Sequence, residues 1–168
     1  MKALIVIDIQ NDYFKENRLK RFTYDTPTVI KNINKTIDKY KKDSDIIYIS
    51  HLIQNLPTNR LLFGYSIKNT EGAKLYKDLN IVSDYKFDKY LPSAYTNKKF
   101  KNFMKNKNYD EVYICGIDNC GCVYHTSKSA LKKEKKVFII KDATYSCFSK
   151  KKVDKVNKDL LKLGVIFI

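Results

Sequence analysis

The sequence predicts a three-layer α/β/α domain around a central, mostly parallel six-stranded sheet, with the strand order 3-2-1-4-5-6 expected. Three observations carry this. Short β-leaning runs alternate with stretches of helical period along the whole chain, the signature of a parallel sheet covered by helices. The first run, residues 3 to 7, is apolar without alternation, as a strand buried on both faces must be. Residues 111 to 140 read as one strand–loop–helix–strand unit. With 168 residues and no repeat, low-complexity tract or composition break, a single domain over 1–168 is expected.

The elements follow in order. Ala3-Leu4-Ile5-Val6-Ile7 is the first strand, and it stops at Asp8. Residues 9 to 25 are polar and aromatic without a strong period, and read as a loop over the sheet edge. Thr26 suits an N-cap and Pro27 the first helical position, after which Ile30, Ile33, Ile37 and Tyr40 share one face. Residues 45 to 50 form the second strand. From His51 to Asn80 the pattern is irregular, with a short helix over Thr70 to Tyr76. A connection of that length in a compact domain often serves as a wall or lid over a site. Ile81 to Phe87 is a weaker third strand. Thr96 or Asn97 caps a helix whose Phe100, Phe103 and Met104 face inward. Residues 111 to 115 form the fourth strand, which Gly116 breaks. A helix over 122 to 133 and a fifth strand over 137 to 141 follow. Ser149 precedes a helix with Val153, Val156, Leu160 and Leu163 inward, and Gly164 suits its C′ position. Val165 to Ile168 closes the sheet as a sixth strand.

Composition narrows the function classes. A net charge of +15 raises the question of nucleic acid, but the lysines are spread over the chain, without interleaved arginines and exposed aromatics. No specific nucleic-acid partner is expected. No apolar run approaches the roughly 20 residues of a membrane span, so no membrane partner is expected either. The opening MKALIVIDIQNDYF lacks a charged leader and a small-residue cleavage site, which makes a cytoplasmic protein the expectation. The cysteines 115, 120, 122 and 147 do not read as a disulfide framework in such a chain. Cys120, Cys122, His125 and Cys147 carry donor atoms for zinc, but C-x-C-x-x-H is not a usual spacing and no second C-x-x-C backs it. The expectation is no metal and no other cofactor.

Three reactive side chains fall just beyond strand ends: Asp8 after the first, Lys89 after the third and Cys122 after the fourth. Open α/β sheets bind ligands outside the carboxyl ends of their strands, where the strand order reverses. If the first and fourth strands are neighbours, Asp8 and Cys122 face one crevice. Cys122 reads as the first turn of a helix, where unpaired N–H groups and the macrodipole bias a thiol toward thiolate. A carboxylate can take the thiol proton, an ammonium can stabilise the anion, and loop N–H groups can receive an oxyanion. Tyr13, His51, Tyr90 and Tyr95 are candidate pocket walls, with plain packing as the alternative for each. A thiol redox or metal-responsive role for Cys120, Cys122 and Cys147 is the competing reading from another class.

Residues 3 to 14, ALIVIDIQNDYF, resemble the opening motif of the isochorismatase-like cysteine hydrolases, a superfamily with nicotinamidases and N-carbamoylsarcosine amidase among its members. Lys89-Tyr90-Leu91-Pro92-Ser93-Ala94-Tyr95 resembles its second motif. Gly116-Ile117-Asp118-Asn119-Cys120-Gly121-Cys122-Val123, then Thr126 and Ala130, resembles its nucleophile motif, and Lys141-Asp142-Ala143 its Asp-Ala after the next strand. The resemblance implies Asp8 as general base, Lys89 as its charge partner and Cys122 as nucleophile. It further implies a cis peptide at Ile117–Asp118, an oxyanion hole from the N–H groups of Asp118 and Cys122, and self-association. The implied reaction is attack on a small amide, carbamoyl or ureido compound through a thioester. Ser50-His51-Leu52 departs from the Asp-x-His metal motif of nicotinamidases, and there is no tryptophan to stack on a pyridine ring. The presence of Cys122 argues against a true isochorismatase, which lacks it. Nicotinamidase and isochorismatase-type hydrolase are therefore the alternatives to a metal-independent cysteine amidohydrolase.

Overall fold

In the first strand Leu4 and Val6 face one side of the sheet while Ala3, Ile5 and Ile7 face the other, and all five are at most 1% exposed. That is what an apolar run without alternation demands, because successive side chains point to opposite faces. The computed structural model describes residues 1–134 and 136–168. Its strands are β1 (Lys2–Ile7), β2 (Asp45–His51), β3 (Lys86–Lys89), β4 (Glu111–Gly116), β5 (Lys136–Thr144) and β6 (Ile166–Phe167). They lie in the order β3-β2-β1-β4-β5-β6, and every neighbouring pair is parallel. The order reverses between β1 and β4, which places the switch point just beyond Ile7 and Gly116.

The helices are α1 (Asn11–Phe14), α2 (Thr26–Tyr40), α3 (Pro57–Leu62), α4 (Lys98–Lys107), α5 (Tyr124–Ala130) and α6 (Lys150–Lys162). On one face α2 lays Val29, Ile30, Ile33 and Ile37 over Leu4 and Val6. On the other, Phe100 and Met104 of α4, Ala130 of α5 and Leu160 of α6 cover Ala3, Ile5 and Ile7. Full burial of a side chain such as Ile33 or Phe100 contributes about 1.5–3 kcal/mol. Asn97 caps α4, its side chain accepting from the N–H groups of Lys99 (2.7 Å) and Phe100 (3.1 Å). No helix among the described residues is long and apolar enough to cross a membrane.

Several boundaries differ from expectation. The third strand is Lys86–Lys89, not Ile81 to Phe87. The Tyr48 hydroxyl explains this: it donates to the Asn80 carbonyl (2.7 Å) and accepts from the Val82 N–H (3.0 Å), taking backbone groups that a ladder would use. Ile81 and Val82 are left exposed. The N-cap of α2 is Asp25 rather than Thr26. The short helix expected over 70 to 76 shrinks to a single 3-10 turn, Glu71–Ala73. The helix expected over 122 to 133 starts instead with a π-helical turn, Asn119–Val123, and α5 follows from Tyr124. The irregular 51–80 segment packs against the chain that follows β1. It runs along residues 9 to 13, where Asn11 N–H donates to the Lys74 carbonyl, Tyr76 N–H to Ile9, and Ser66 N–H to the Asp12 carboxylate, all at 2.8–2.9 Å. Gly72 allows this approach, since a Cβ there would sit 2.1 Å from the Asp12 carboxylate oxygens.

Candidate active site

Asp8 follows the last residue of β1 and holds a left-handed backbone, φ 58°, while its N–H donates to the Ile49 carbonyl at 2.8 Å. Aspartate tolerates that region better than most side chains. The turn sends its carboxylate into the interior, 2% exposed. Lys89 ends β3, and its side chain is fully buried, reaching across beneath β2 and β1. Its ammonium lies 2.8 Å from Asp8 Oδ2, 3.0 Å from Cys122 Sγ and 3.3 Å from His51 Nδ1. The other carboxylate oxygen, Asp8 Oδ1, is buried with no hydrogen-bond partner among the described residues. Acid, base and thiol thus meet at the switch point, as the strand ends implied.

Cys122 is delivered by a specialised connection. Gly116 has φ +116°, and a Cβ on it would lie 2.2 Å from the Ile7 carbonyl oxygen, so only glycine passes there. Ile117 N–H donates back to Ile7 (3.0 Å), and the Ile117–Asp118 peptide is cis. In the π turn that follows, the Asp118 carbonyl accepts from Gly121 and Val123, on either side of Cys122. Single π turns occur often at functional sites. The Asp118 carboxylate is a hub: Oδ1 accepts from Cys120 N–H (2.7 Å) and Ser146 Oγ (2.8 Å), Oδ2 from Tyr24 OH (2.9 Å) and Cys147 N–H (2.8 Å). It ties the 15–25 loop, the nucleophile turn and the β5–α6 connection together.

The electrostatics correct one expectation. The thiol of Cys122 is raised, first by burial and then by the Asp8 charge, and Lys89 opposes both without prevailing. The resting group is a thiol, and the bias toward thiolate that a helix start supplies does not prevail. Burial alone would lower Lys89, but Asp8, by its charge and hydrogen bond, outweighs it and holds the ammonium protonated. His51 is lowered by burial and then by Lys89, which keeps its imidazole neutral.

The remaining predicted residues separate. His51 joins the cluster, with Nδ1 3.9 Å from Cys122 Sγ. The Tyr13 phenol is held well above its ordinary value by burial and then by the Asp8 charge, which places it beside the site, and it accepts from Ser66 Oγ at 3.0 Å. Ile117 is buried and Asp118 directs its carboxylate away as described. Tyr90 and Tyr95 are not brought to the cluster. Tyr90 is 47% exposed, with the Lys68 ammonium 6.0 Å from its ring. Tyr95 packs on Phe100 in the core and donates to Glu134 (2.8 Å). Tyr90 directly follows the buried Lys89 and turns outward, and Ser93, which precedes Ala94 and Tyr95, is itself buried and donates to Ser129 Oγ at 2.8 Å.

Sequence reasoning did not single out Gln10, which the structure ties to the site through His51. Its amide accepts from His51 N–H (2.8 Å) and donates to the His51 carbonyl (2.9 Å) and the Ala73 carbonyl (2.8 Å), clamping the end of β2. The available signal was a polar side chain three residues past a buried strand. Asp118's carboxylate was likewise missed, since only its backbone was considered.

Residues 2–166 match the family described as isochorismatase domain. The chain belongs to the isochorismatase family. Among its relatives, the uncharacterised isochorismatase family protein YddQ of Bacillus subtilis is 22% identical over 143 residues, 84% of this chain and 76% of that protein. A probable inactive nicotinamidase of Arabidopsis thaliana is 25% identical over 156 residues, 84% and 79%. The pyrazinamidase/nicotinamidase of Streptococcus mutans has the same fold, with TM-score 0.83 at 22% identity and full coverage of both chains. A pyrazinamidase of Pyrococcus horikoshii, solved in complex with zinc, superposes with TM-score 0.78 at 24% identity over 99% and 98%.

The residues of this family member do not fit a divalent metal of that kind. Among the described residues one group of potential ligands converges, Asp8, His51 and Cys122. The Lys89 ammonium lies within 3.3 Å of an atom of each, so the space between them already holds a cation.

Proposed function

We propose that this isochorismatase-family chain is a hydrolase with a cysteine nucleophile, acting on a small amide, carbamoyl or ureido compound through a thioester. The observation that carries the reading is the single ammonium of Lys89 bridging Asp8 Oδ2 and Cys122 Sγ, with Asp8 Oδ1 left unpartnered. A buried carboxylate oxygen with no donor is a ready proton acceptor, and general bases of this kind contribute about 10²–10⁴-fold. As Sγ attacks the carbonyl carbon, the thiol proton passes to Asp8, and Lys89 offsets the charge that develops on sulfur. The oxyanion goes to the N–H groups of Asp118 and Cys122. The C–N bond then breaks as the amine leaves with the proton from Asp8. Water, activated by the same carboxylate, attacks the thioester and restores the thiol. A resting thiol suits this sequence, because the proton moves only when substrate arrives.

The test is an ammonia- and amine-release screen over small amides, carbamoyl and ureido compounds. Nicotinamide and pyrazinamide belong in it, since proteins of the same fold carry those names. Turnover that disappears in Cys122→Ala supports the reading; turnover that survives in this variant removes the covalent mechanism.

A further inference from the structure

A lysine ammonium has three N–H donors. In this site three acceptors surround it: Asp8 Oδ2, Cys122 Sγ and His51 Nδ1. Asp8 Oδ1 is close at hand on the same carboxylate, yet it receives no hydrogen bond from the described residues. The ammonium's three donors rotate freely about its stem, so a donor with no other acceptor can turn to Oδ1, and a hydrogen bond there would lower its basicity. The third donor is engaged elsewhere. His51 itself is held in place through its backbone, which the Gln10 amide grips from both sides at 2.8 and 2.9 Å. Gln10 is fully buried and also fastened to the Ala73 carbonyl, so the strand end cannot drift.

We propose that His51 is a positioning residue that takes the third Lys89 proton on Nδ1 and thereby keeps Asp8 Oδ1 free as the working base. The proposal fixes the tautomer: Nδ1 is bare and Nε2 carries the proton. It also gives a reason for a histidine at a strand end whose neighbours Ser50 and Leu52 supply no metal ligand. Without His51 the ammonium turns its third donor to Asp8 Oδ1, and the carboxylate becomes a poorer acceptor for the thiol proton. The inference rests on the thiol–carboxylate chemistry proposed above, but its test needs no substrate.

The chain has two histidines, so ¹⁵N-histidine labelling yields a readily assigned NMR spectrum. The expected result is an unprotonated Nδ1 and a protonated Nε2 on His51 at neutral pH, with that preference lost in Lys89→Met. A protonated Nδ1 would overturn the proposal. In parallel, the rate of Cys122 alkylation by iodoacetamide is read by mass spectrometry at pH 7. In His51→Leu it falls about tenfold, the size of one hydrogen bond to a charged group. In His51→Asn, whose Oδ1 stands near the Nδ1 position, it returns to within about twofold of the native rate. Equal rates in all three proteins, or a loss in His51→Asn as large as in His51→Leu, would also overturn it. Should no amide be hydrolysed while the tautomer and the rescue hold, the proposed function fails and the role of His51 stands.

Discussion

The two ends of the sheet carry the same kind of ion pair in opposite settings. At the amino end, Lys2 meets Asp43 at 3.1 Å with side chains 42% and 56% exposed, and Lys107 meets Asp45 at 3.0 Å with 31% and 27%. At the carboxyl end, Lys89 meets Asp8 at 2.8 Å with 0% and 3%. Water screens the first pairs, and exposed pairs contribute about 0–1 kcal/mol. The third has no water to share its charge with, so each partner depends wholly on the other and on Cys122 and His51. The backbone differs in the same way. The amino end has only the positive-φ residues that close helices, Asn108 and Gly164, whereas the carboxyl end gathers the left-handed Asp8, the positive φ of Gly116 and the π turn. Irregular backbone and a desolvated pair are costs to stability, and their concentration at the switch point marks where the fold is shaped for chemistry.

The largest expected effect comes from breaking the buried pair on one side. Lys89→Met leaves the Asp8 charge uncompensated and should lower stability by about 3–5 kcal/mol in urea denaturation. The double variant Asp8→Asn, Lys89→Met should recover most of that loss. A single-variant cost below about 1 kcal/mol would put the two ends on the same footing. Next comes Gly116→Ala, expected to cost about 3 kcal/mol, because the added methyl meets the Ile7 carbonyl in a backbone region L side chains avoid.

Acid separates the ends by window. His51 is depressed when folded, so its contribution is complete above its unfolded value near 6.5 and is lost as pH falls through its folded value. Asp45 is also depressed: burial alone would raise it, but hydrogen bonds from Tyr109 and Lys107 outweigh that. Its contribution is complete above about pH 4 and is lost only below that. Thermal melts should therefore show a first decline starting near pH 6.5 that His51→Asn flattens, and a second below about pH 4 that Asp45→Asn flattens. The smallest effect is Lys2→Ala, whose solvent-screened pair should leave the melting temperature unchanged at high salt.

The same contrast explains what was legible in the sequence. Regular elements with one strong driving pattern were readable: the apolar run of β1, the one-sided face of α2, the Asn97 cap. Asp8, Lys89 and Cys122 were readable because strand ends are, and the topology then gathers them. What escaped depended on side chains satisfying distant backbone. Tyr48 captures residues 80 to 82 and shifts β3, Gln10 clamps His51 from 41 positions away, and Asp118 gathers donors from Tyr24 and Ser146. Tyr95 looked like a wall from its place in a motif, but a core aromatic gives the same local pattern. The raised Cys122 thiol escaped because a helix start predicts the sign of the local field and says nothing of how deeply the sulfur is buried.

The most direct test of the account is acyl transfer from p-nitrophenyl acetate, a generic acyl donor, with the acetylated residues mapped by mass spectrometry in the native protein and in Asp8→Asn. The account predicts an acetyl group on Cys122 ahead of Cys115, Cys120 and Cys147, and its disappearance when Asp8 loses its basicity. Acetylation confined to surface lysines, or an equal yield on Cys122 in Asp8→Asn, would contradict the claim that the buried pair operates the thiol.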